Sequence, residues 1–149
     1  MHDTGTAPAD LSEIAAHCAC RKLRSAARTV TRAYDRALEP VGLTSTQFTI
    51  LVALSQAGPT SITALAALLA TDRTTLTRNL RPMARDGLLE IAAGKGRARQ
   101  VRLTSHGRSQ LERGASCWAG AQAAFVGALG APSREALEAL LGTIGRIER

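Results

Sequence analysis

Aromatic side chains are scarce in this 149-residue chain, which has two Phe, one Tyr and one Trp, 3% in all. Beside a 45% hydrophobic content rich in Ala and Leu, that shortage disfavours a β-sandwich core and favours packed helices. Long apolar runs are also missing, and no stretch offers the about 20 apolar residues of a membrane-spanning helix. The charge-free run 114–133 comes nearest, but it contains several glycines, Gln122 and Pro132, and it reads as a buried helix. Residues 1–10 are polar, without the apolar segment of a signal peptide. Cysteines number three, an odd count that, with no export signal, points to reduced thiols and a cytoplasmic protein. Cys18 and Cys20 lie about 200° apart around a helix, so they neither pair with each other nor share a metal. No zinc-like spacing links them to Cys117 or His17, and no metal is expected. His2, His17 and His106 each lack a neighbouring nucleophile with a placed acid, and no glycine-rich loop leads a strand into a helix. An enzyme is not expected, nor is a cofactor. Internal repeats and low-complexity linkers are absent too.

What the chain does have is positive charge, unevenly placed. A formal net charge of +7 and a pI of 10.6 imply a polyanionic partner, most commonly nucleic acid. Residues 72–113 hold ten Arg or Lys against four acids, a net +6 of that +7. Two short helical patterns occupy 61–70 and 72–86. Strands at 88–93 and 100–104 follow, flanking Gly94-Lys95-Gly96-Arg97-Ala98-Arg99. The first helix turns Ile62, Leu65, Leu68 and Leu69 inward. The second buries Leu76, Leu80 and Met83 and leaves Thr74, Thr77, Arg78, Arg81 and Arg85 outside. Pro82 deletes one internal hydrogen bond and should loosen the last turn, and Gly87 is a natural stop. A helix with a Thr/Arg face suits a major groove, while a basic hairpin reaches the adjacent minor groove.

The flanking segments read as helices. The span 11–39 forms one long helix whose Leu23, Ala27, Val30, Tyr34, Ala37 or Leu38 and then Val41 make an apolar stripe. Arg21, Arg24, Arg28, Arg32 and Arg36 fall opposite, as a solvated face or as phosphate contacts near a DNA flank. Thr44 and Gln47 make a capping box for a helix that buries Phe48, Leu51 and Leu54 and ends at Gly58-Pro59. Thr104-Ser105 caps a helix to about Leu129, and Pro132-Ser133 starts a last one with Leu137, Leu140, Leu141 and Ile144 on one face. These outer helices carry apolar faces that the central module does not consume, which points to a helical dimer interface.

Several runs taken in order resemble the MarR family of winged helix–turn–helix regulators, over about residues 18–148. They are Leu43-Thr44-Ser45-Thr46-Gln47-Phe48-Thr49-Ile50-Leu51, Leu65-Ala66, Asp72-Arg73-Thr74-Thr75-Leu76-Thr77-Arg78-Asn79-Leu80, Asp86-Gly87-Leu88-Leu89 and Val101-Arg102-Leu103-Thr104-Ser105-His106-Gly107. The resemblance implies a mainly α fold (α+β winged helix). A flexible tail over 1–10 would precede a helical dimerisation region of 11–43 and 108–149, with a winged helix–turn–helix DNA-binding lobe over 44–107. It implies an obligate homodimer that binds pseudo-palindromic double-stranded DNA and represses, with no membrane partner. Thr74, Thr75 and Arg78 would approach bases or their phosphates, Arg73 and Arg81 would take backbone contacts, Arg97 would enter the minor groove, and Thr77, Lys95 and Arg99 complete the expected DNA-binding set. Where such proteins carry Asp-x-Arg at the wing tip, this chain has Lys95 in the Asp position and Arg97 in the Arg position. A wing with more electrostatic and less sequence-specific character is expected.

Two further sites follow from the resemblance. Small aromatic acids and phenols bind such proteins between dimer and DNA-binding regions, which makes Tyr34, Phe48 and Trp118 candidate pocket lining and a small-molecule effector an expected partner; plain core is the other reading of these residues. Cys20 matches the cysteine of the organic-peroxide-sensing branch, and Tyr34 matches one of its two thiol-holding tyrosines, with Ser45 at the second and Arg24 replacing a further Tyr. Nearby arginines would favour the thiolate, whereas a small buried helix residue is the alternative. A more remote alternative is a winged-helix protein-interaction module, against which stands the lack of exposed acids and aromatics on the second helix.

Overall fold

Side-chain oxygens of Thr44, Ser61, Asp72 and Thr104 each accept a hydrogen bond from the backbone N–H three residues on, and so set where four helices begin. The computed structural model describes residues 10–94 and 99–147. Along the chain run α1 (Leu11–His17), α2 (Ala19–Leu38), a 3-10 turn (Glu39–Val41), α3 (Ser45–Ala57), β1 (Thr60–Ser61), α4 (Ile62–Leu68), α5 (Arg73–Arg85), β2 (Leu89–Ala93), β3 (Arg99–Leu103), α6 (Ser105–Leu129) and α7 (Ala131–Ile144). The chain divides into two compact units, Met1–Ala33 and Tyr34–Arg149, and the division falls inside α2. Among the described residues no single helix is long and apolar enough to cross a membrane.

In the first unit the single helix expected over 11–39 is broken at Cys18, whose ψ of 106° ends α1. The break is closed locally. The Cys18 N–H still donates to the Ile14 carbonyl at 3.0 Å, and the Arg21 guanidinium donates to the Ala15 carbonyl, one of the acceptors that a helix end leaves open. Asp10, expected within a flexible tail, is the N-cap of α1 and accepts from the Ser12 N–H at 2.9 Å. The rest of that expected tail, 1–9, lies outside the described residues.

In the second unit one apolar core gathers Leu38, Val41 and Leu43, the inner faces of α3, α4 and α5, and Leu88, Leu89 and Val101. Phe48, Leu51 and Leu54 are buried as their spacing predicts, and so are Leu76, Leu80 and Met83. Leu68 is not: at 59% exposed it sits in the last turn of α4, beyond the core-facing Ile62, Leu65 and Ala66. After α4 the chain turns through Ala70, which holds a left-handed φ of 48°. Its neighbour Thr71 returns an N–H to the Ala66 carbonyl at 3.0 Å, the bonding of a Schellman stop made here without glycine. The sheet has the order β1-β3-β2. β3 pairs antiparallel with β2, Glu90 opposite Arg102, and with β1, Thr60 opposite Val101.

The first turns of α6 belong to this core, because Gly107 and Gly114 are its only two buried residues. Beyond them the helix is half-buried or exposed, so the buried helix expected over 114–133 is not found within one chain. Leu140, Leu141 and Ile144 on α7 are exposed as well, since no described element covers that face.

Candidate nucleic-acid interface

The helix–turn–helix centres on α5, and Asp72 fixes how it starts. One carboxylate oxygen of Asp72 accepts the Thr75 N–H at 2.8 Å, and the other accepts the Thr75 hydroxyl at 2.6 Å. These two bonds, the hydroxyl's foremost, hold the Asp72 pKa below the ordinary aspartate value. The helix ends in a Schellman stop: the Gly87 N–H donates to the Ala84 carbonyl at 3.1 Å and the Leu88 N–H to the Met83 carbonyl at 2.9 Å, with Gly87 at φ 73°. Pro82 lies inside α5, and the helix continues past it to Arg85, because the Asp86 N–H bonds to the Pro82 carbonyl at 2.9 Å.

With its apolar side in the core, α5 turns the other side outward. Arg73, Thr74, Thr77, Arg78 and Arg81 line a shallow, open depression there. Thr77 donates its hydroxyl to the Arg73 carbonyl at 2.7 Å, and Asn79 donates its amide to the Thr75 carbonyl at 3.0 Å. Thr75 and Thr77 have thus committed their protons and present oxygens only as acceptors. Among the described residues the Thr74 hydroxyl makes no hydrogen bond, and Arg73, Arg78 and Arg81 have no carboxylate partner. The contrast with other arginines is sharp: Arg85 pairs with Asp86 at 3.3 Å and Arg102 with Glu90 at 2.6 Å.

That Arg102–Glu90 pair is a contribution of the fold that sequence reading passed over. The two residues stand opposite in register on β2 and β3, and both the Nε and Nη2 of Arg102 donate to one Glu90 oxygen, at 2.9 and 2.6 Å. It ties the hairpin arms together below the tip. A strand alternation with one acid and one base at matching distance from the turn was its only sequence signal. Arg99 is exposed at the start of β3. Lys95 and Arg97 lie outside the described residues.

The remaining candidates occupy separate environments. Phe48 is buried in the core, Trp118 is 41% exposed, and Tyr34 is half-buried against α6. The Tyr34 hydroxyl donates to Gln122 Oε1; its ring meets Phe125 edge-on at 6.5 Å, and desolvation raises its pKa. Cys20 is an exposed free thiol, while Cys18 and Cys117 are half-buried. Among the described residues no group of three or more His, Cys, Asp or Glu is placed to hold a metal ion.

Comparison with known proteins agrees with this arrangement. The MarR family's sequence model matches residues 43–93. The M. tuberculosis transcriptional regulator MosR, solved in complex with DNA, is 41% identical, with 89% of this chain and 99% of that one covered and a TM-score of 0.78. The transcriptional repressor CouR, solved bound to p-coumaroyl-CoA, is 25% identical over 94% of this chain and 99% of its own, at a TM-score of 0.82. A mutant of E. coli MarR complexed with operator DNA shares the fold at 22% identity, covering 91% and 99%, with a TM-score of 0.81. No curated protein matches the chain by sequence.

Proposed function

The chain belongs to the MarR family of transcriptional regulators, and on that footing we propose that it is a cytoplasmic, homodimeric, sequence-specific repressor whose α5 reads a pseudo-palindromic operator. The observation that carries this reading is the outer face of α5. Three arginines without a carboxylate partner among the described residues surround Thr74, over an apolar face anchored in the core. Arg78 and Thr74 approach base edges, with Thr75 and Thr77 offering acceptors, because a fixed guanidinium fork and a free hydroxyl suit groove-edge donors and acceptors. Arg73 and Arg81 take phosphates, and Lys95, Arg97 and Arg99 supply the wing contacts. The DNA-bound MosR structure supports a duplex as partner. Residues 11–43 and 108–149 supply the dimer contacts, and 44–107 is the DNA-binding lobe. The effector that releases DNA is a small aromatic or phenolic compound, a class supported by the p-coumaroyl-CoA bound to CouR, with Tyr34, Phe48 and Trp118 as candidate lining.

The test is a binding titration with the duplex upstream of the protein's own gene. Arg78→Ala should lose about 1–3 kcal/mol of discrimination at one operator position, and Arg73→Ala should weaken all sequences alike. Unchanged operator binding by both Arg78→Ala and Arg97→Ala sinks the assignment.

A second reading is favoured by the exposure of the Cys20 thiol, flanked in sequence by Arg21, Lys22 and Arg24. Here the Cys20 thiolate attacks an organic hydroperoxide, becoming a sulfenic acid as the alcohol leaves, and the oxidised protein releases DNA. A mobility shift with and without hydroperoxide should show release from the wild type and none from Cys20→Ser. Release that persists in the variant rules this reading out.

A further inference from the structure

Positive charge sits in two places on this chain, and only one of them is α5 with its wing. Residues 19–33 carry five cations and no acid. Outside that stretch and 72–113, acids outnumber bases. Within the first unit, Arg24, Arg28 and Arg32 recur at four-residue intervals on α2, which puts them along one side of the helix about 6 Å apart. All three are exposed.

Their charges are not spent internally. The ion pairs among the described residues involve Arg85, Arg102 and Arg134 instead. Arg32 makes only a 3.3 Å bond to the Thr29 hydroxyl, and Arg21 is set apart by its bond to the Ala15 carbonyl. A solvated helix face ordinarily interleaves acids at these spacings, since like charges at i and i+4 repel and weaken the helix. This face has none. Leu23, Ala27 and Val30 lie on a separate stripe about a third of a turn away, so an apolar contact made through them leaves the arginines open.

We infer that the Arg24, Arg28 and Arg32 face of α2 is a second DNA-contact surface, which takes phosphates of the bound duplex other than those held by α5. The inference rests on the duplex partner proposed above but not on which α5 residues read bases. Guanidinium groups bind phosphate through paired N–H donors. Their spacing of about 6 Å matches the advance of roughly two phosphates along the duplex axis, where each strand places a charge about every 3.4 Å.

The experiment measures operator and random-duplex affinity of the full-length protein from 50 to 200 mM salt. It compares the wild type, Arg24→Gln/Arg28→Gln/Arg32→Gln, the corresponding triple Lys variant, and Arg78→Ala. Three lost contacts should make the wild-type advantage over the Gln variant shrink by about 40-fold across that range, for both duplexes alike, from a slope change of about 0.9 per contact. The Lys variant should keep the wild-type slope, and a melting curve for each protein verifies that it is folded. A Gln variant that is folded and retains the wild-type slope overturns the inference, whatever Arg78→Ala does. A Lys variant that loses the slope as the Gln variant does also overturns it, since charge is then not the cause. If Arg78→Ala keeps its discrimination while the Gln variant loses slope, the α5 assignment fails and the α2 surface stands. Binding of the wild type to phosphatidylserine vesicles, lost in a Gln variant whose DNA slope is unchanged, would assign the face to a membrane surface and overturn the inference.

Discussion

Gly114 occupies a point on α6 where a methyl group would collide with Phe48, since a Cβ built there lies 2.9 and 3.0 Å from two ring carbons. At Gly107 the neighbour is main chain, and the same atom would stand 1.8 Å from the Leu88 carbonyl oxygen. A ring can shift by a few tenths of an ångström, whereas a main-chain carbonyl already bonded to the Thr104 N–H at 3.3 Å has far less room to move. Gly114→Ala is therefore expected to cost about 1–3 kcal/mol of stability, in the range of overpacked cores, and Gly107→Ala more. Denaturant midpoints of the two variants check the order, and a Gly107→Ala protein as stable as the wild type would contradict the packing described. Gly114 stood in the sequence as an unremarked member of a helix, and Gly107 only as the last residue of a family motif. Their role was illegible there because a close approach between α6 and residues far earlier in the chain leaves no mark on local periodicity. The surroundings of the aromatic residues were illegible for a related reason. Ring size indicates how much surface a side chain can bury but not which neighbours it meets, so Tyr34, Phe48 and Trp118 reach three different surroundings.

Elements with strong caps and clear periodicity were the most legible. The limits and faces of α5 follow from Asp72, Gly87 and the spacing of Leu76, Leu80 and Met83, and so most of the candidate interface could be read from the residues. Two features could not. The break at Cys18 has no Pro or Gly to announce it, and β1 has only two residues, which form a strand because β3 offers an edge. The cap of α5 also makes it pH-sensitive. The Asp72 pKa is depressed in the folded protein, so its contribution to stability is complete above the ordinary aspartate value of about 3.9 and is lost as pH falls through the lower folded value. Asp72→Asn retains an oxygen acceptor but cannot titrate. The gap between the melting temperatures of wild type and Asp72→Asn should therefore narrow below about pH 3.9. A gap that stays constant from pH 7 to pH 2 would show that the carboxylate's charge contributes nothing.

For the whole molecule, the apolar surface and the charge lead to the same proposal. Leu140, Leu141 and Ile144 present an apolar face on α7 at 61, 53 and 40% exposure, and a second copy is the covering partner that the family membership favours. Leu140→Asp/Leu141→Asp should then shift the protein from dimer to monomer in sedimentation velocity. It should also lower operator affinity at least tenfold, because each half-site would be bound alone. A double variant that remains dimeric and binds normally would place the dimer contacts elsewhere. Net charge was plain from composition, but its division between α5 and α2 acquired meaning only when the arginines proved exposed and without carboxylate partners among the described residues.

The end of α5 and the beginning of α6 are fastened together. The Thr104 hydroxyl donates to the Gly87 carbonyl at 2.6 Å and accepts from the Gly107 N–H at 2.9 Å, and the Thr104 N–H donates to the Leu88 carbonyl at 3.3 Å. One residue thus spans the exit of α5 and the entry of α6, although a whole hairpin separates them in the chain. If α6 makes the dimer contacts and α5 enters a groove as proposed, torque on α6 should pass to α5 as through a lever arm, and the angle of α5 in the groove should follow events along α6.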